Sequence, residues 1–392
     1  MLKAGEIRRF VADAASLLAR QRHLAAFDVY CSSGEQIVAR LNYTGEIASR
    51  GVEEVKSLAA DGFALRIVTR RDAHETASAF VAGDLSMDGV RRALRQATNS
   101  AVIDPHFPGL PAPAQTARRR AGGASDLLGA SHLAVARAAW ETLEGATGEF
   151  ARRVPPGLSN PGLIIGGDFT LTRERIAIAG SAASAIREDR DAYFTASITA
   201  ILEATRAKAA ASAMGRSSRE LHRAPAILGK DVIRNALDSK APVCPPSGKY
   251  RVLFGPQPLA EILSYMVIPS LTAGAFYRAD SAYHGRFGRQ VMDQRISLID
   301  DPLGSGGAIR RQITCEGLPA QRTVLIRDGR LTALLSSFYD SHRLASDAGL
   351  AEKLGESAPL QPSFAATTAT ASASTAAADS IRLRIAAPAT CG

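Results

Sequence analysis

The side chains best suited to activating water at a metal are histidine, cysteine and carboxylate, and their spacing in this chain is unpromising. The seven histidines, His23, His74, His106, His132, His222, His284 and His342, never come within ten residues of one another. A hydrolytic zinc site needs two or three fixed ligands and an open coordination position, and its usual local sign is a pair of helix-borne histidines beside a glutamate. His74-Glu75 is the one His-Glu pair, with no histidine following it, and reads as an ordinary strand or turn. The four cysteines, Cys31, Cys244, Cys315 and Cys391, lie far apart, which excludes a zinc knuckle or a local redox pair and leaves incidental thiols of a reducing compartment. Gly304-Ser305-Gly306-Gly307 lacks both the nucleophile-elbow pattern and the Lys-Ser or Lys-Thr of a phosphate loop. Asp300 and Asp301 end an apolar stretch, where adjacent carboxylates cap a turn, form a salt bridge, bind a cation or touch an interface. Cys315-Glu316 has no neighbouring histidine to activate the thiol.

The elements that would position these groups are readable from period. Ile7, Phe10, Val11, Ala14, Leu17 and Leu18 recur at helical spacing. Strands follow: Phe27, Val29 and Cys31, then Ile37, Ala39, Leu41 and Tyr43 after a turn at Ser33-Gly34, then 52–57 and 63–69 around Asp61-Gly62. Ser86 is placed to cap a helix through Arg91, Leu94 and Ala97. A second α+β unit opens with a helix whose predicted apolar face is Leu133, Ala136, Trp140 and Leu143. Strands are expected at 163–169, 176–180 and 193–201, and a short helix at 231–237. The third region should contain a strand at 250–254, a helix bearing Leu259, Ile262, Leu263, Met266 and Val267 that Pro269 ends or bends, and a hairpin. Asp328-Gly329 marks that hairpin, because a type I′ turn requires positive φ.

These readings divide the chain into an α+β domain over 1–104, a Pro/Ala/Arg-rich linker over 105–125, a middle α+β domain over 126–240, a C-terminal domain over 241–350 and a tail over 351–392. The expected fold class is α+β, multidomain, with antiparallel or mixed sheets and packed helices. Residues 365–378 are all Ala, Thr or Ser, too poor in apolar area to offset their ordering entropy, and are expected to be disordered. Ile381, Leu383 and Ile385 alternate with arginines, leaving a short strand there an open alternative. The formal charge of +9 is diffuse, and its densest run, Arg118-Arg119-Arg120, falls in the linker. No helix-turn-helix or basic-aromatic stripe accompanies it, so specific nucleic-acid recognition is not indicated. No signal peptide or membrane-spanning run is read, and the expected compartment is the cytoplasm.

The third region resembles the TldD/PmbA family, whose PmbA member is also called TldE. The resemblance rests on the Gly285-to-Gly288 segment within 281–291 (Ser-Ala-Tyr-His-Gly-Arg-Phe-Gly-Arg-Gln-Val). It continues through the Asp300-Asp301-Pro302 strand end, 316–326 (Glu-Gly-Leu-Pro-Ala-Gln-Arg-Thr-Val-Leu-Ile) and the Asp328-Gly329 turn. The earlier organisation looks like the family's N-terminal and middle domains.

What the resemblance implies is a two-subunit zinc peptidase. Its TldD-like subunit carries His-Glu-x-x-x-His on a helix before the Gly-x-x-Gly segment. Transferred by distance from Ser281, that motif falls on Ser264-Tyr265-Met266-Val267-Ile268-Pro269, which has neither histidine nor glutamate. The chain is therefore similar to the metal-free TldE-type subunit: no catalytic residue, no cofactor of its own, zinc expected in the partner alone. Gly285, Gly288, Arg289, Asp300, Asp301 and Arg322 become candidates for substrate or interface contact, with Ser264, Tyr265 and Pro269 marking the degenerate metal motif. Expected partners are a motif-bearing TldD-like subunit and a peptide substrate, with a homodimer where no such subunit exists. The alternatives are a stand-alone peptide- or ligand-binding regulatory protein, an independently active hydrolase, or a degenerate paralogue without activity. The family normally continues beyond Leu344 with further strands, so a shortened C-terminal sheet is also expected.

Overall fold

The chain is seen here as a computed structural model describing residues 1–45, 47, 51–71, 74–112, 126–154, 162–183, 185–203, 210–221, 225–240, 243–304, 307–347, 349, 363–366 and 381–385. Its largest feature is a six-stranded antiparallel sheet in the order β3-β2-β1-β4-β5-β6. The strands are β1 (Leu24–Thr44), β2 (Lys56–Arg71), β3 (His74–Ala82), β4 (Gly162–Gly180), β5 (Arg187–Glu203) and β6 (Ala210–Ser218). They are long because two expected turns do not form. Ser33 pairs with Asp61 and Gly34 with Ala60 in one uninterrupted ladder, so β1 and β2 run straight through the residues read as breaks. Likewise 163–169 and 176–180 are one strand, β4, rather than two paired strands.

β1 also pairs with β4 from Asp28–Gly180 to Thr44–Ile164, so segments 1–104 and 126–240 share one sheet. They keep separate cores on the same face. Phe27, Val29 and Cys31 pack with Ala177 and Ala179 under α1 (Ala4–Ala19) and α2 (Met87–Asn99). Ile37, Ala39 and Leu41 pack with Leu163, Ile165, Phe169 and Leu171 under α3 (His132–Arg153) and α4 (Pro225–Asp238). Between the cores the face turns polar: Ser33 is buried, and Arg173 meets Glu35 at 3.4 Å and donates to the Leu127 carbonyl at 3.1 Å. The predicted cap is present, with the Ser86 hydroxyl accepting from the Gly89 N–H at 3.0 Å. The predicted face of α3 is rotated. Val135, Ala138, Ala139, Leu143 and Ala146 are buried, whereas Leu133 and Trp140 are 67% and 47% exposed.

The C-terminal region is built on β7 (Ile296–Asp300), β8 (Thr323–Arg327) and β9 (Arg330–Leu331), with β10 (Ala333–Ser336) beside them. Asp328 and Gly329 have φ of 47° and 75°, giving the expected hairpin turn between β8 and β9. The predicted strand at 250–254 is not a strand in the structure. The following helix comes in pieces: α5 (Pro256–Ile262), a π-wound turn (Leu263–Val267), α6 (Ile268–Ser270) and α7 (Ala273–Tyr277); α8 (Phe338–Ala345) packs on α7. Ser363–Ala366 forms β11, parallel to β10, which corrects the expectation of disorder at Ala365 and Ala366; 367–380 lies outside the described residues. Ile381–Ile385 does form a strand, β12, antiparallel to β7. Backbone pairing with one neighbouring strand does not depend on side-chain composition, which is how a small-residue segment is held here. The fold is α+β, with antiparallel sheets and one parallel pair. Among the described residues no helix is long and apolar enough to cross a membrane.

Candidate functional site

The sequence-derived candidates fall into three groups along the C-terminal domain. The first is the 285–291 segment, which lies along the tip of the β8–β9 hairpin. Gly288 donates its N–H to the Leu331 carbonyl at 2.8 Å, Leu331 returns one to Arg289 at 3.1 Å, and Val291 donates to Gly329 at 2.8 Å. Gly285 and Gly288 sit at φ 68° and 76°, a region costly to a side chain, which accounts for glycine at both. Arg289 holds the hairpin through its backbone and leaves its guanidinium exposed.

The second group stands at the opposite end of β7. Gly329 donates to the Ile296 carbonyl at 2.7 Å, whereas Asp300 is four residues farther along, roughly 13 Å at strand rise. Asp300 is buried, opposite Thr323 of β8 and Ile381 of β12. Asp301 pairs with Arg322 at 3.7 Å; the carboxylate is mostly covered and the guanidinium half exposed. Such an arginine can carry a second carboxylate on its open side. The structure thus joins Asp301 to Arg322 and Gly288 to Arg289, as two separate places.

The third group is the helix on which the family's metal motif would fall. The Ser264 hydroxyl is spent on the Ala260 carbonyl at 2.7 Å, Tyr265 is 72% exposed, and Pro269 is exposed. Hydroxyl, phenol and proline are not zinc's ligands, and among the described residues no cluster of three His, Cys, Asp or Glu side chains could hold a metal. These residues do not fit a zinc ion. The helix is nonetheless anchored: Ile268 and Leu271 enter the core with Phe276, Phe287 and Leu335, and Leu335 donates to the Leu271 carbonyl at 2.8 Å. His284 places its Nδ1 3.0 Å from the Phe276 carbonyl, which occupies that nitrogen.

A fourth cluster was not anticipated. The face of the large sheet turned away from the helices carries Asp28, Tyr30, Arg66, Glu174, Asp189 and Asp191, and the 308–318 strap of the C-terminal domain lies across it. Asp191 accepts from the Arg310 N–H at 2.8 Å, and Asp189 accepts from Gln312 N–H at 2.7 Å. The residue between them, Arg311, is 6% exposed and ion-pairs with Glu174. Arg219 bridges Asp191 and the Ala308 carbonyl at 2.7 and 2.8 Å. Arg187 donates to Gly317 O at 3.1 Å, and Arg66 pairs with Asp28 at 2.5 Å and Glu316 at 3.3 Å. The apolar share is small: Ile176, Ile178, Ile313 and Tyr30.

Electrostatics here follow from burial. Desolvation raises Asp189 above the usual carboxylate range, against the Gln312 N–H and Arg311. It likewise raises Asp28 against Arg66. For Arg311 burial opposes the charge, but Glu174, Asp191 and Asp189 outweigh it and the guanidinium is held more firmly protonated than usual. The Cys315 thiol is pushed up by burial and by Glu316, the reverse of what a nucleophile needs. This cluster joins the large sheet to the C-terminal domain.

Residues 247–381 match the PmbA/TldA metallopeptidase C-terminal domain. The same chain is 31% identical over 97 residues to an uncharacterized protein of Methanocaldococcus jannaschii and 29% identical over 100 residues to a metalloprotease of Methanothermobacter thermautotrophicus. Those alignments cover 25% and 26% of this chain and only 23% and 22% of the relatives' own lengths. The fold is similar to that of TldE from Thermococcus kodakarensis, with a TM-score of 0.66 at 12% identity over 87% of this chain and 72% of that one. It is also similar to a candidate modulator of a DNA gyrase from Thermotoga maritima, with a TM-score of 0.68 at 16% identity over 86% and 73% of the two chains. A Bacteroides thetaiotaomicron protein of the same description gives 0.68 at 14% identity over 94% and 77%. At those identities the likeness speaks for the fold, while the domain match speaks for descent. The chain thus carries a PmbA/TldA metallopeptidase C-terminal domain over residues 247–381, within a fold similar to that of TldE and of the two described gyrase modulators.

Proposed function

We propose that this chain is the non-catalytic, metal-free subunit of a TldD/TldE-type heteromeric zinc peptidase, shaping the peptide cleft for a motif-bearing partner. One observation carries the reading: the helix bearing Ser264, Tyr265 and Pro269 has no zinc donors at those positions, yet it sits in a C-terminal domain where other segments that carry the family resemblance are formed. The Gly285–Gly288 turns, the Asp301–Arg322 pair and the Asp328-Gly329 hairpin each have their geometry. A domain that keeps its scaffold without the ligand set is suited to binding rather than to hydrolysis. The likeness in fold to a TldE, and in sequence over 100 residues to a relative described as a metalloprotease, supports a place in such a peptidase. On this reading the zinc belongs to the partner, an extended peptide pairs with a strand edge, and Arg322 or Arg289 receives a substrate carboxylate.

The test combines metal analysis with a peptide-cleavage assay. The isolated chain should contain no stoichiometric zinc and cleave nothing from a mixed peptide library; adding a His-Glu-x-x-x-His homologue should produce cleavage beyond that of the homologue alone. Zinc-dependent cleavage by the isolated chain would overturn the proposal.

A further inference from the structure

Far from the C-terminal domain, α1 and α2 leave a charged groove between them. Both helices lie on the core that holds Phe27, Val29, Phe63 and Leu65, and the space along their junction measures about 610 Å³. α1 lines it with Asp13, Leu17 and Arg20, a spacing of four and three that keeps them on one side of the helix. α2 lines it with Met87, Arg91, Leu94 and Arg95 at the same kind of spacing. Each stripe runs roughly 10–12 Å at helical rise. The floor is apolar: Leu94 belongs to the core, and Leu17 and Met87 are partly buried against it. The rim is cationic and exposed. Among the described residues neither Arg20 nor Arg95 has an acidic partner within salt-bridge reach, while Arg91 holds Asp88 at 2.6 Å. Asp13 is the one carboxylate in the lining, against three guanidiniums.

We propose that this groove binds an extended acidic peptide segment in which carboxylates alternate with aliphatic side chains. The inference stands on the two N-terminal helices and does not depend on a zinc-bearing partner. Charge and shape select the occupant. Guanidinium forks match carboxylates bidentately, and the forks of Arg20 and Arg95 are open. Alternate side chains of an extended segment point in opposite directions, so aliphatic groups can meet the floor while carboxylates reach the rim. About four residues in that conformation span ~12 Å, the length of the groove. A nucleic-acid strand fits less well: none of the lining residues is aromatic, so bases find no stacking platform, and Asp13 would face the phosphates. An enclosed small molecule fits less well too, because such ligands are buried over most of their surface and here the rim stands open to solvent.

The experiment measures fluorescence anisotropy of the labelled peptide Glu-Leu-Glu-Leu-Glu-Leu with the full chain. Peptides with Gln in place of Glu, or Ser in place of Leu, and a labelled thymidine hexanucleotide are run beside it. Arg20→Glu and Arg95→Glu, made singly, are compared with Arg327→Glu, an exposed arginine of β8 that changes the net charge equally. Melting temperatures equal to that of the native chain show that folding is intact. The peptide series needs no variant, so it decides even where a substitution disturbs α1 or α2. The proposal expects the Glu-Leu peptide to bind and both altered peptides to bind about tenfold more weakly, as does each groove variant, the loss of one charged contact. Arg327→Glu should leave the affinity unchanged. No binding of the Glu-Leu peptide, or binding indifferent to both groove substitutions, would overturn the proposal. A hexanucleotide that binds more tightly than the peptide, and is lost with the same arginines, would overturn the choice of occupant.

Discussion

Replacing Arg311 by methionine probes the join between the sheet and the C-terminal domain. Arg311 is 6% exposed, ion-paired with Glu174 and flanked by Asp189 and Asp191, so the substitution leaves three carboxylates facing a side chain of similar length and no charge. Asp191 retains Arg219 at 2.7 Å, and Asp189 retains the Gln312 N–H at 2.7 Å; Glu174 loses its partner. Removing one member of a buried pair costs about 3–5 kcal/mol, against about 0–1 kcal/mol for an exposed one. For a cooperative unit of 150–250 residues that corresponds to a fall in Tm of roughly 6–20 °C. Thermal and urea unfolding at pH 7 measure it. The sign with pH is an independent check. A raised carboxylate favours the protonated form in the fold, so removing Arg311 raises Asp189 further and the defect should shrink as the pH falls toward 4. Converting Glu174 to glutamine in the same chain should recover part of the loss. A loss below about 1 kcal/mol, with no change in pH dependence, would refute the claim that the strap is held by a desolvated ion cluster.

Three further outcomes follow from the same structure. Glu149 is held down at about 2, chiefly by the hydrogen bond from Arg152 and then by Arg153. It therefore contributes stability above about pH 4.5 that is lost as pH falls toward 2, and Glu149→Gln should flatten the acid limb of Tm against pH; parallel curves would contradict this. The Cys31 thiol is buried and pushed up to about 12 by burial, whereas Cys244 is exposed, so a thiol reagent at pH 8 should label Cys244 in the native protein and reach Cys31 only after denaturation. Phe169→Ala, at a fully buried position, should cost about 3–5 kcal/mol in urea titrations, and Trp140→Ala, 47% exposed in the native chain, distinctly less; the reverse order would restore the helix face read from sequence.

What could be read from sequence was set by local chemistry. Ile7, Phe10, Val11, Ala14 and Leu18 recur on one side of a helix and are the residues α1 buries. Ser86 caps because its hydroxyl needs a donor only three residues away. Asp328-Gly329 turns because the positive φ is required within the two residues themselves. The same logic failed at Ser33-Gly34 and Asp61-Gly62. Both pairs have turn composition, but they face each other in adjacent strands, and the ladder satisfies the backbone groups that a turn would otherwise leave to solvent. Trp140 misled for a related reason. Hydrophobicity placed it in the core, whereas small residues, Ala138, Ala139 and Ala146, let α3 approach the sheet and α4.

The candidate site was legible only in part. The 285–291 segment, Asp300-Asp301 and Arg322 were visible through the family resemblance, but nothing in their spacing shows that β7 separates them by its length. The polar cluster was invisible. Asp189 and its partner Gln312 are 123 residues apart, and a charged run such as 187–191 reads as a solvated strand until the strap is laid over it. The exposed apolar face at 250–254 is the mirror case: its composition predicts a paired strand, and the structure leaves it without a described partner.

The central claim is that the chain serves a zinc peptidase without holding the zinc. The most direct measurement is zinc content per chain, by elemental analysis after dialysis against excess zinc, for the isolated chain and for its complex with a His-Glu-x-x-x-His homologue, with peptide cleavage followed in the same samples. The account predicts zinc near zero and no cleavage for the isolated chain, and one zinc per complex with cleavage exceeding that of the homologue alone. One tightly held zinc in the isolated chain, accompanied by cleavage, would contradict it.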